Sequence, residues 1–114
     1  RLRRASGEIS SILTIGDLAI DIVEHTVTRA GKEIPLTRLE FDLLVSLAKE
    51  PGRVFTREAL LGEVWGYRHS TDTRLVNVHI QRLRAKIEHD PETPTIIGTV
   101  RGIGYKAGAP GNRS

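Results

Sequence analysis

The chain has no cysteine among its 114 residues. That absence excludes a disulfide framework, a thiolate zinc site and a cysteine nucleophile together. No apolar run approaches the roughly 18 residues that a membrane span needs. A signal-peptide pattern is missing too, because no apolar stretch follows Arg1-Leu2-Arg3-Arg4. The chain opens on Arg1 rather than Met, as a piece of a longer protein would. Aromatics make up only 4%, and Trp65 with Tyr67 is a thin basis for the stacking surface of an RNA reader. His25, His69, His79 and His89 are scattered, without H-x-x-x-H or H-E-x-x-H spacing. Gly102-x-Gly104 lacks the third glycine and the following helix of a phosphate cradle, and no serine stands on a nucleophile elbow. A hydrolase or nuclease needs a clustered carboxylate or histidine site. The sequence offers none, so the expectation is a non-enzyme with no cofactor and no metal.

What remains is ordinary for one globular domain, at 39% apolar and 27% charged residues. Seventeen Lys and Arg against fourteen Asp and Glu give a net charge of +3. Where that charge sits decides more than its sum.

Residues 1–10 mix Arg, Ser, Gly and Glu without periodicity and read as a flexible linker. Residues 11–108 read as the domain, and 109–114 as a disordered tail. From Ser11 to Pro35, alternating apolar and β-branched residues punctuated by Gly16-Asp17 and Ala30-Gly31 predict three or four short antiparallel strands. Thr37 with Glu40 is a capping box that opens a first helix, which Pro51-Gly52 ends. Val54-Phe55 reads as an extended link. Thr56 caps a second helix, stopped by Gly66, and a polar loop follows. Thr71 or Asp72 caps a third helix running to about Glu88. Ile96 through Val100, a turn at Arg101–Gly104, and Tyr105–Ala107 form a terminal hairpin. A small sheet, three helices and a two-stranded wing follow the winged helix-turn-helix plan.

On a helical wheel of residues 73–88, Val76, Ile80, Leu83 and Ile87 share a narrow core sector. The opposite side collects Arg74, Asn77, Val78, Gln81, Arg82 and Ala85, flanked by His79, Arg84 and Lys86. No acid appears there until Glu88. Solvated helix faces usually mix both signs. Guanidinium, amide and methyl groups are those that read base edges: Arg on guanine, Asn or Gln on adenine, an apolar group on thymine methyl. Periodicity alone leaves a plain charged surface equally open. Arg101, beside Gly102 and Gly104, is either a minor-groove probe or an ordinary exposed turn residue. Thr99 and Tyr105 have hydroxyls for phosphates, although Tyr105 suits half-buried packing as well. Trp65 is first a packing residue whose indole N–H still needs an acceptor.

EFDLL at 40–44, REALL with VWG at 57–66, TRLVNVHIQRLRAKIE at 73–88 and TVRGIGYK at 99–106 resemble the C-terminal effector domain of OmpR/PhoB-type response regulators. The likeness covers about residues 12–107. VWGYRH followed by DTRLVNVHIQRLRAKIE is most similar to an actinobacterial subgroup of that family. The resemblance implies an α+β fold: a four-stranded antiparallel sheet, three helices and a C-terminal hairpin wing, with the third helix in the major groove. It implies DNA contacts from Arg57, Trp65, Arg74, His79, Gln81, Arg82, Arg84, Thr99, Arg101 and Tyr105, to which the base-edge argument adds Asn77 and Val78. Gln81 departs from those relatives that have Arg there; it keeps hydrogen-bonding ability but loses charge, so its contact is expected to shift from guanine or phosphate toward adenine. The resemblance further implies a receiver domain ahead of the linker, phosphorylated by a sensor kinase, and head-to-tail pairing on direct-repeat DNA. RNA polymerase would be met through the Gly66–Thr71 loop. No membrane partner is implied, and the location would be cytoplasmic, on the bacterial nucleoid. The alternative from another class is a protein-interaction module, since winged helices also bind proteins. Such a module has no need of an acid-free face.

Overall fold

The computed structural model describes residues 11–66 and 72–108. The expected linker, the tail and residues 67–71 of the loop assigned to polymerase lie outside the described residues. β1 (Ile12–Ile15), β2 (Leu18–Asp21), β3 (Thr26–Arg29) and β4 (Lys32–Glu33) form one antiparallel sheet in chain order. The β3–β4 loop is Ala30-Gly31, both at positive φ (54° and 82°). A type I′ turn demands that, and it suits the twist of a hairpin. Ile15, Leu18, Ile20 and Val27 are buried, so the sheet has one face on the core.

α1 (Arg38–Ala48) opens as expected from local chemistry. Thr37 Oγ1 accepts from the Glu40 N–H at 3.3 Å, and the Glu40 carboxylate accepts from the Thr37 N–H at 2.9 Å. After the two-residue β5 (Phe55–Thr56), Thr56 caps α2 (Arg57–Val64) by accepting from the Ala59 N–H. Gly66, at φ 91°, ends the turn beyond Trp65. The cap of α3 (Arg74–Ile87) is neither of the two expected residues but Thr73, in helical conformation and without a side-chain capping hydrogen bond; Asp72, one residue earlier, accepts from the Arg74 N–H. Leu43, Leu44 and Leu47 of α1, Leu60 of α2, and Val76, Ile80, Leu83 and Ile87 of α3 are fully buried together. The wing is β6 (Ile97–Val100) and β7 (Gly104–Ala107), joined by a turn in which the Ile103 N–H donates to the Val100 carbonyl.

Two features depart from the expected pattern. The Val54-Phe55 link is not merely extended: β5 adds to the wing, pairing Phe55 with Tyr105 and Thr56 with Gly104. Gly104 permits this, because a Cβ there would stand 1.9 Å from the Phe55 carbonyl oxygen. α3 ends at Ile87, and Glu88 is extended and buried. Its carboxylate accepts the backbone N–H groups of Thr95, Ile96 and Ile97 at 2.8–3.1 Å, tying the entry of the wing to the end of α3. From the other side, Arg29 of β3 donates to the Ile87 carbonyl. Asp17 lies 3.0 Å from the Arg29 guanidinium and 2.6 Å from the His89 ring. The N-terminal sheet therefore grips the C-terminal end of α3.

Candidate nucleic-acid interface

α3 is buried along one side and open along the other. Arg74, Val78, Gln81, Arg82 and Ala85 are exposed, at spacings that keep them on one ridge. Val78 is 44% exposed, an apolar side chain in the middle of a polar ridge. The ridge carries no acid: the first acidic residue in the direction of the helix, Glu88, is turned inward on the Thr95–Ile97 backbone. At the N-terminal end Arg74 pairs with Asp72 at 2.9 Å. That side-chain hydrogen bond holds the Asp72 carboxyl below its usual range and raises the Arg74 guanidinium. Both partners face solvent, where such a pair is easily exchanged. At the other end Lys86 reaches back to Glu40 at 2.6 Å. Burial of Glu40 works against its charge, but Lys86 and the Thr37 N–H overcome this and lower its pKa.

Three residues expected at the interface make hydrogen bonds directed into the protein. Arg84, placed by the wheel on the flank, is 6% exposed. Its guanidinium donates to the Ile97 carbonyl at 2.8 and 3.2 Å and to Thr99 Oγ1 at 2.7 Å. Burial pulls its pKa down from the ordinary arginine value. Its partners Ile97 and Thr99 belong to β6, which a wheel of one helix does not contain. Tyr105 is 4% exposed, and its O–H donates to Asn77 Oδ1 at 2.8 Å. Asn77, placed on the outward side, is half-buried, and the same oxygen accepts from Arg57 Nε at 3.0 Å. Two guanidinium groups approach the Tyr105 ring, Arg57 at 5.7 Å and Arg84 at 5.5 Å from its centroid.

The remaining candidates stay within reach of solvent. Trp65, half-buried at the end of α2, packs edge-on against His79 at 5.0 Å. Its indole N–H has no protein partner among the described residues and is not sealed from water. His79 Nδ1 lies 2.9 Å from the Leu75 carbonyl, so Nδ1 carries a proton. Thr99 is exposed; its oxygen accepts from Arg84, which leaves its own proton to donate. Arg101, Gly102 and Ile103 form an exposed wing tip, with Gly102 at φ 76°. The sequence reading missed Glu88 and Ile103. The carboxylate that organises Thr95–Ile97 announces itself only by following an otherwise acid-free helix, and Ile103 is an apolar residue left 49% exposed in a glycine-rich turn.

Residues 31–107 match the family described as "Transcriptional regulatory protein, C terminal". The chain is 64% identical over 110 residues to the DNA-binding response regulator MtrA of Mycobacterium tuberculosis, covering 96% of this chain and 48% of that protein. The actinobacterial subgroup indicated by the α3 motif is that of MtrA. The chain thus spans about half the length of the curated relatives it matches. Among solved structures, the Thermotoga maritima OmpR/PhoB homologue DrrB superposes with a TM-score of 0.78 at 40% identity, over 87% of this chain and 45% of DrrB. The Klebsiella pneumoniae RstA DNA-binding domain, crystallised with its RstA box, gives 0.77 at 35% identity, over 85% of this chain and 96% of that domain.

Proposed function

This chain belongs to the transcriptional regulatory protein C-terminal family, the effector domains of OmpR/PhoB-type response regulators, and on that premise we propose that it binds specific double-stranded DNA sequences and thereby controls transcription. The observation that carries the reading is the acid-free ridge of Arg74, Val78, Gln81, Arg82 and Ala85 on α3. In the major groove, Arg82 meets guanine, Gln81 meets adenine and Val78 meets thymine methyls. Arg101 at the wing tip enters the minor groove, and Arg57, Arg74, Trp65, His79 and Thr99 hold phosphates. Arg84 and Tyr105 act from beneath, fixing the wing against α3. In the full-length protein a receiver domain, phosphorylated by a sensor kinase, pairs two copies head to tail on direct repeats, and the loop after Gly66 meets RNA polymerase.

Selection of bound sequences from a random duplex pool tests the reading, followed by titration on random duplex at several salt concentrations. The four arginines placed on DNA, Arg57, Arg74, Arg82 and Arg101, give a log–log slope near −3 to −4 if each displaces about one counterion. A flat salt response and no enriched sequence favour the protein-interaction reading.

A further inference from the structure

Asn77 hydrogen-bonds to α2 through Arg57 and to the wing through Tyr105, and these partners decide which of its atoms DNA encounters. Arg57 Nε–H can only donate, so the amide atom 3.0 Å away is the oxygen. The Tyr105 hydroxyl donates to the same oxygen at 2.8 Å. Both lone pairs of Oδ1 are then occupied. Nδ2, with its two N–H donors, has no partner among the described residues and is not sealed from solvent.

Resting on the DNA-binding reading above, we infer that Asn77 is a specificity-determining residue that offers donors only, and that it selects guanine rather than adenine. The adenine pair requires one amide to accept from N6–H and donate to N7. A carboxamide whose oxygen already serves Arg57 and Tyr105 has nothing left with which to accept. Guanine presents N7 and O6, two adjacent acceptors that one NH2 group spans; thymine presents O4 alone; cytosine presents a donor and repels. A phosphate oxygen shares the acceptor chemistry but carries no base preference. Arg57 and Tyr105 are positioning residues in this scheme: they fix the orientation of the amide through its oxygen.

Asn77→Asp keeps Oδ1 for Arg57 and Tyr105 and replaces the outward donor with an acceptor. The 114-residue chain and this variant are titrated, at fixed salt, on every single-base variant of the duplex recovered by random-pool selection. The added negative charge weakens the variant on all duplexes. Beyond that, the preference at one base pair moves from guanine toward cytosine by about tenfold. Replacing that guanine with 7-deazaguanine, which lacks the N7 acceptor, weakens the wild-type protein and leaves the variant unaffected. Uniform weakening with every base preference intact makes Asn77 a phosphate or scaffold residue and overturns the inference, leaving the DNA-binding reading in place. A wild-type preference for adenine at the position that Asn77→Asp alters overturns it equally. Absence of any duplex binding by the wild-type chain overturns the functional reading and this one with it.

Discussion

The carbonyl oxygen of Phe55 occupies the space that a side chain on Gly104 would need, 1.9 Å from its Cβ position, with Thr56 Cα at 3.0 Å. Both obstacles are backbone, which cannot rotate aside. Gly104→Ala should therefore cost at least about 2–3 kcal/mol, the upper range of overpacking. Gly102→Ala meets nothing within 4 Å and bears only the strain of its positive φ, about 1 kcal/mol. Urea denaturation of the two variants gives the order, and an equal loss in both would remove β5 from the wing sheet.

Arg84 and Arg82 stand two residues apart and do different work. Arg84→Ala strands the Ile97 carbonyl and should lower stability by about 2–3 kcal/mol, the usual range for a hydrogen bond to a charged group. Arg82→Ala, on the exposed ridge, should stay within about half a kcal/mol while weakening DNA binding. Chemical denaturation alongside duplex titration separates the two. A stable Arg84→Ala with reduced salt slope would return Arg84 to the phosphate contacts.

Leu83 is fully buried and Gln81 exposed. Leu83→Ala opens a cavity beneath α3 and should cost roughly 2–5 kcal/mol. Gln81→Ala should change stability by less than about half a kcal/mol and alter sequence preference. Thermal or urea unfolding of the pair checks the phase of the helix.

The lowered pKa of Glu40 gives a signed pH dependence. A carboxyl depressed in the folded state contributes stability that is complete above its ordinary value of 4.5 and is lost as pH falls through the folded value. Asp17 and Asp72 are depressed as well, by His89 and Arg74 first, so the wild-type acid limb is a sum. Glu40→Gln should be less stable than wild type at pH 7, and the difference should shrink below pH 4.5. A difference that stays constant from pH 7 to pH 3 would show that Glu40 acts by packing alone.

Arg82→Lys should blunt base discrimination at one or two positions, since a point charge cannot replace a planar fork. Arg101→Lys should largely retain binding, and Arg101→Ala should lose most on A·T-rich flanks, where a narrow minor groove concentrates negative potential. Titration on single-base operator variants at fixed salt is the measurement. The reverse pattern exchanges the two roles.

The elements that local chemistry defines were legible. Thr37 with Glu40, Thr56 and Gly66 bound their helices by hydrogen bonds that span three to five residues. The four-residue spacing of Val76 and Ile80 put the core face of α3 in view, and with it the ridge of Arg74, Val78, Gln81 and Arg82. Asn77 and Arg84 sit at the edges of those two sectors, where a wheel assigns a side but not a partner. Their partners are Arg57, Ile97, Thr99 and Tyr105, contributed by other elements. The pairing of β5 with β7 was hidden for the same reason: two residues are too few to show a strand period, and the register is set by a glycine far along the chain.

That pairing also orders events during synthesis. Phe55 and Tyr105 are about fifty residues apart, and contacts of such separation close only after the intervening chain exists. α3 leaves the ribosome before the Ile97 carbonyl that receives Arg84 and the Tyr105 hydroxyl that orients Asn77. A nascent chain thus displays the charged helix without the frame that aligns it. The groups that align Asn77 and Arg84 are complete only once β7 has docked against β5.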